Sequence, residues 1–128
     1  MKFPQLINIL VISFGSLIGA NMRYFMLMKF EYIKLNKVNR ILLINIISCF
    51  ILGLNWPLFV HENNDFVQEL LILFLFGFIG SLSTFSTFIY DLFELFSKRK
   101  IQVGIIVTFL SIFLGLILMS FGFYLGNI

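Results

Sequence analysis

The sequence predicts an all-α membrane protein of four transmembrane helices with a broken third helix, on three observations. Hydrophobic residues make up 60% of the 128 residues, and the mean hydropathy of +1.04 lies far above globular usage. Four long runs, about 3–28, 41–60, 66–96 and 101–127, each reach the roughly 20 apolar residues that a bilayer-spanning helix needs. The charges fall mostly in short clusters between these runs: Lys29, Glu31, Lys34, Lys37 and Arg40; then Glu62, Asp65 and Glu69; then Lys98, Arg99 and Lys100, with Asp91 and Glu94 just before them. A soluble chain this short could bury only part of so much apolar surface, whereas a bilayer removes that difficulty.

The first run follows Lys2 and carries small residues at Gly19-Ala20, as a secretory signal would. It is longer than a usual signal core and continues past Arg23 into Tyr24-Phe25-Met26, so it reads as a span. The second run carries Asn45 inside Leu42-Leu43-Ile44-Asn45-Ile46-Ile47 and includes Cys49, a small packing residue; as the sole cysteine, it leaves no intrachain disulfide framework. His61, in the next connection, lacks Cys or carboxylate at metal-ligand spacing and reads as a boundary-loop residue. The third run exceeds what a straight span requires, and its middle reads Gly77-Phe78-Ile79-Gly80-Ser81-Leu82-Ser83-Thr84-Phe85-Ser86-Thr87-Phe88. Such a cluster is either a close helix-packing seam or a helix break lining a cavity or ion site. The fourth run has Thr108 and Ser111 as mid-span hydroxyls.

Backbone groups in hydrocarbon must be satisfied within their own segment, and no β-barrel alternation is present, so the four runs are helices. Connections of about 29–40, 61–65 and 97–100 are too short to separate domains. Residues 1–128 therefore form a single four-helix transmembrane domain, with successive spans as antiparallel hairpins. Seven of the nine basic residues (Lys29, Lys34, Lys37, Arg40, Lys98, Arg99, Lys100) sit in the first and third loops. The positive-inside rule then puts those loops in the cytoplasm of a plasma or inner membrane and both termini outside.

No nucleophile, base and orienting partner occur together in the spans, so no enzyme site is predicted. Phosphate-binding loops and nucleic-acid signatures are also missing, and the basic clusters read as topology signals. Polar groups inside a bilayer are costly, which makes them candidates for function. Asn45 offers two N–H donors that could replace the hydration of a small anion, or it joins two helices by a hydrogen bond. Arg23, ending the first span, is a snorkelling anchor or a fixed positive charge at a pore mouth. Phe85 and Phe88 flank Ser86-Thr87; ring edges carry partial positive charge and could line an anion path, although most of the 18 phenylalanines simply face lipid.

Taken together, these stretches resemble the Fluc (CrcB-like) fluoride channel family through all four spans. Gly15-Ser16-Leu17-Ile18-Gly19-Ala20-Asn21-Met22-Arg23-Tyr24 resembles GGxxGAxxRY. Asn45 with Phe50 and Gly53 resembles NxxGSFxxG, and Gly77 to Phe88 resembles GFxGGxTTFSTF, the most specific of the three. The resemblance implies an antiparallel, dual-topology dimer with two narrow pores at the subunit interface, passing fluoride down its gradient and so reducing fluoride toxicity. It implies Asn45 as a pore donor, Phe85 and Phe88 as the ring pair, Ser86, Thr87 and Ser111 along the anion pathway, and Arg23 at a vestibule. It also implies a structural sodium ion held by main-chain carbonyls of Gly80 and Ser83.

The sequence departs from the pattern at several points. Arg40-Ile41 stands where the family has Gly-Thr, Ser48 replaces a glycine, Ser83 replaces a threonine, and the fourth-span tyrosine has no clear equivalent. An antiparallel homodimer must insert both ways and needs balanced loop charges, whereas this chain is strongly biased. The expectation is therefore a heterodimer with a homologous subunit of opposite orientation. Two other readings compete with a conducting subunit. One is a non-conducting scaffold, for which Ile41 argues. The other is a small multidrug-type proton-coupled transporter, which would need a membrane-embedded carboxylate that the first span lacks.

Overall fold

The computed structural model describes residues 3–83 and 85–128; Lys2 and Thr84, both used in the sequence reading, lie outside them. Five α-helices make up the chain: α1 (Phe3–Tyr32), α2 (Lys37–Val60), α3 (Asp65–Leu82), α4 (Phe85–Ser97) and α5 (Ile101–Gly126). Four stretches are long and apolar enough to cross a membrane: Gln5–Tyr32, Lys37–Pro57, Asp65–Ser97 and Ile101–Gly126. The third combines α3 and α4. Among the described residues there is no strand, and the protein is a multi-pass membrane protein with its third span broken.

Helix ends and charge clusters do not coincide at the first loop. The helix α1 continues through Lys29 and Glu31 to Tyr32, and α2 begins at Lys37, leaving only 33–36 between them. Charge ends the match to hydrocarbon but does not end a helix, which stops where its carbonyls find other partners. Here Lys34 adopts φ 62°, Lys34 N–H donates to Glu31 O and Leu35 N–H to Phe30 O, a left-handed turn that closes α1. Arg99, at φ 57°, closes α4 in the same way. At the other end of the bundle, Asn64 caps α3, its Oδ1 accepting from Phe66 N (3.1 Å) and Val67 N (3.3 Å).

Sequence neighbours are not the closest partners in space. The principal pairings are α1 with α3 and α2 with α5, while α1 and α2 touch little. Small residues decide this, because helices in lipid associate by close backbone packing. A Cβ at Gly15 on α1 would lie 2.5 Å from Phe74 O of α3, and one at Gly122 on α5 would lie 2.5 Å from Phe50 O and 2.9 Å from Leu54 N of α2. Only glycine permits those approaches.

The buried core lies where α2, α4 and α5 converge: Ile41, Leu42, Ile46, Phe88, Leu92 and Val107. Most of α1 and α5 is outward-facing and apolar, with Phe14, Phe109 and Phe113 all at least 60% exposed. Such faces suit lipid or another subunit, not water.

Candidate functional site at the helix break

The break is narrower than the stretch from Gly80 to Phe88 suggested. Gly80, Ser81 and Leu82 finish α3, and Phe85 to Phe88 form the first turn of α4. Among described residues only Ser83 leaves the helical conformation, at φ −77°, ψ 137°, with its N–H still donating to Ile79 O. Leu82, fully buried, anchors the end of α3.

A break of this kind puts two opposed helix ends in the middle of a span. The carbonyl end of α3 carries partial negative charge, and the first N–H groups of α4 carry partial positive charge. The first end suits a cation and the second an anion. Neither can be left facing hydrocarbon.

Asn45 is tied to this break. The Ser83 hydroxyl donates to Asn45 Oδ1 at 3.1 Å across 38 residues of sequence. Ile44 and Ile46, 1% and 6% exposed, fix that turn of α2. With Oδ1 accepting from Ser83, the amide orientation is set, and Asn45 makes a further contact within the molecule. Asn45 thus makes the helix-joining hydrogen bond of the simpler reading.

The remaining predicted residues divide between two environments. Phe88 is buried in the subunit core against Ile41, Leu42 and Ile46 of α2, with Thr87 half-buried beside it. Phe85 is 74% exposed, and Ser86 and Gly80 are exposed too. A Cβ at Gly80 would meet nothing within 4 Å, so this face of the break is open. The rings of Phe85 and Phe88 therefore meet different surroundings: one looks outward and the other into the subunit. Arg23 is half-buried on α1 and engaged with the rest of the molecule. Ser111 is half-buried on α5, where Thr108 Oγ1 donates back to Gly104 O at 2.9 Å.

One residue beside the site was missed by sequence reasoning. Asp91 neighbours the charges of the third loop in sequence, yet it is 2% exposed. Lys37 Nζ lies 3.1 Å from its Oδ1 and 3.5 Å from Glu94 Oε2, and sits over the Tyr90 ring, 4.6 Å from its centroid. Glu94 also pairs with Lys98. The signal was present in the spacing, since Asp91 follows Phe88 by three residues and shares its helix face.

Residues 10–123 match the family model described as CrcB-like protein, Camphor Resistance (CrcB). The chain is 38% identical over 122 residues to "Fluoride-specific ion channel FluC 2" of Prochlorococcus marinus (strain NATL2A), covering 94% of this chain and 98% of that protein. It is 37% identical over 112 residues to "Fluoride-specific ion channel FluC" of Oceanobacillus iheyensis, covering 85% and 83%. A protein of the same name from Desulfotalea psychrophila is 30% identical over 123 residues, covering 94% and 92%. No solved structure gives a significant match. With the family model reaching from α1 to α5 and the break between α3 and α4 lying inside the matched residues, the chain belongs to the CrcB family.

Proposed function

We propose that this chain is a subunit of a fluoride-specific channel that lets cytoplasmic fluoride leave the cell passively and so limits its toxicity. The observation that carries the reading is the Ser83–Asn45 hydrogen bond, which fixes an amide donor beside the restart of α4. Fluoride is compact and strongly hydrated, so it enters a bilayer only where donors replace its water. The Asn45 amide, the hydroxyls of Ser86, Thr87 and Ser111 and the first N–H groups of α4 are such donors. Ring edges of Phe85 and Phe88 add partial positive charge without a full charge that would trap the ion. Arg23 draws anions towards a vestibule.

The channel is a dimer in this reading. Its support is that the face of the break carrying Gly80, Phe85 and Ser86 is exposed in the single chain, and released backbone groups at mid-membrane cannot be left in lipid. An antiparallel copy or homologue would cover that face. The main-chain carbonyls of Gly80 and Ser83 fit a sodium ion at such a junction: the α3 ladder stops there, Gly80 is open to approach, and a hard cation takes oxygen ligands. When bound, that ion would supply the positive charge that holds two breaks together.

Loop charges favour a heterodimer, with the first and third loops of this chain in the cytoplasm. Fluoride efflux from liposomes containing this chain alone, purified as a dimer, would refute that pairing.

A second reading, a non-conducting scaffold subunit, has one observation in its favour. Ile41, where the family has threonine, is 4% exposed and packed with Phe88, so this wall is apolar. The test is fluoride efflux from liposomes holding the assembled channel with F85I and F88I. A conducting role predicts loss of most flux in each variant; unchanged flux would favour the scaffold.

A further inference from the structure

One buried titratable group is unused by the reading above. Asp91 is shut off from solvent at 2% exposure, and neither of its oxygens takes a well-aligned hydrogen bond among the described residues. The group that answers its charge is the Lys37 ammonium, 3.1 Å from Oδ1. A carboxylate removed from water carries a large desolvation cost, and a buried ion pair offsets it without adding much stability. What it does add is a controlled local potential.

The position of the pair gives that potential a target. On α2, Lys37, Ile41 and Asn45 recur every four residues and share one face; on α4, Phe88 and Asp91 are three apart and share another. Three tiers of contact connect the two helices and the break. Ser83 meets Asn45 at the innermost tier, Ile41 and Phe88 share the core cluster at the next, and Lys37 meets Asp91 at the outermost. At 1.5 Å rise per residue the three tiers span about 12 Å along α2. A cavity of about 140 Å³ at the outer tier is lined by Asn36, Lys37, Asp91, Glu94, Lys98 and Lys100.

We infer that the Lys37–Asp91 ion pair forms a charge-compensated mouth to the anion path, Lys37 cancelling a buried carboxylate that would otherwise repel an anion approaching Phe88 and Asn45. The inference rests on the fluoride-channel reading. Lys37 and Asp91 act as positioning residues for the local potential. The ammonium is held in place by the Tyr90 ring and by Glu94, whose second partner is Lys98. Lys37 and Asp91 sum to zero; without Lys37, no other described cation lies within ion-pair distance of the buried carboxylate. At an effective dielectric of about 20, one uncompensated charge about 8 Å from a passing anion slows it roughly 30-fold.

Single-channel fluoride currents in planar bilayers test this, with the channel in its assembled form. Unitary conductance is the readout because loss of folded protein lowers the number of channels, not the current through each. K37M is expected to lower unitary conductance roughly 30-fold, and K37M/D91N, which removes both charges, to recover it to within a few-fold of the wild type. Wild-type conductance in K37M, or a double variant as slow as K37M, would overturn the inference while leaving the channel reading intact. A wild-type assembly that passes no fluoride would sink both.

Discussion

Replacing Ser83 with alanine isolates the contact on which the site is built. The variant keeps the extended backbone residue that breaks the third span but removes the hydroxyl that donates to Asn45 Oδ1 at 3.1 Å. Interhelical hydrogen bonds of side chains in membranes are worth about 0.6 kcal/mol on average and up to about 1.7 kcal/mol. If that free energy holds the amide in its productive orientation, its loss lowers the productive population about 3- to 20-fold at about 1.4 kcal/mol per tenfold. Initial rates of fluoride efflux from liposomes, measured with a fluoride electrode at matched protein loading, should fall by that factor in S83A and stay near wild type in S83T. In N45A the donor itself is gone, so adding S83A to N45A should cost nothing more. Wild-type flux in S83A, or a double variant whose losses multiply, would refute the claim that Ser83 acts through Asn45.

Two further outcomes follow from the packing. G122V places side-chain carbon where even a Cβ would lie 2.5 Å from Phe50 O. The α2–α5 pair must then part, and a loss of about 1–3 kcal/mol is expected as a lower melting temperature in detergent; an unchanged melting temperature would contradict the close contact. I41T returns a hydroxyl to the wall beside Phe88 and removes buried methyl packing, so fluoride flux should rise while stability falls by about 1–3 kcal/mol. Flux that does not change would mean that the Ile41 wall lies off the path.

The number of spans was legible because hydrocarbon imposes a length and a composition that Ile, Leu and Phe runs satisfy visibly. The broken third span was legible as a possibility: Gly80, Ser81 and Ser83 marked the region, and the structure resolves the choice in favour of a break but narrows it to Ser83 among described residues. Which helices pair was not legible. Short loops suggested hairpins of successive spans, yet the backbone contacts at Gly15 and Gly122 draw α1 to α3 and α2 to α5. Loop length limits where a helix can go, and small residues decide what it touches. The Ser83–Asn45 bond joins positions 38 residues apart, and no local pattern encodes a contact at that separation. Asp91 was misread for a different reason. A carboxylate near a basic loop normally belongs to the solvated boundary, but α4 turns this one inward to meet Lys37.

Fluoride flux itself is the most direct measurement. Liposomes loaded with potassium fluoride and reconstituted with this chain and a homologous subunit of opposite loop charge should release fluoride rapidly once valinomycin relieves the potassium counter-charge, and should retain chloride under the same conditions. Fluoride release no faster than from protein-free liposomes, or chloride leaving equally fast, would contradict the channel reading.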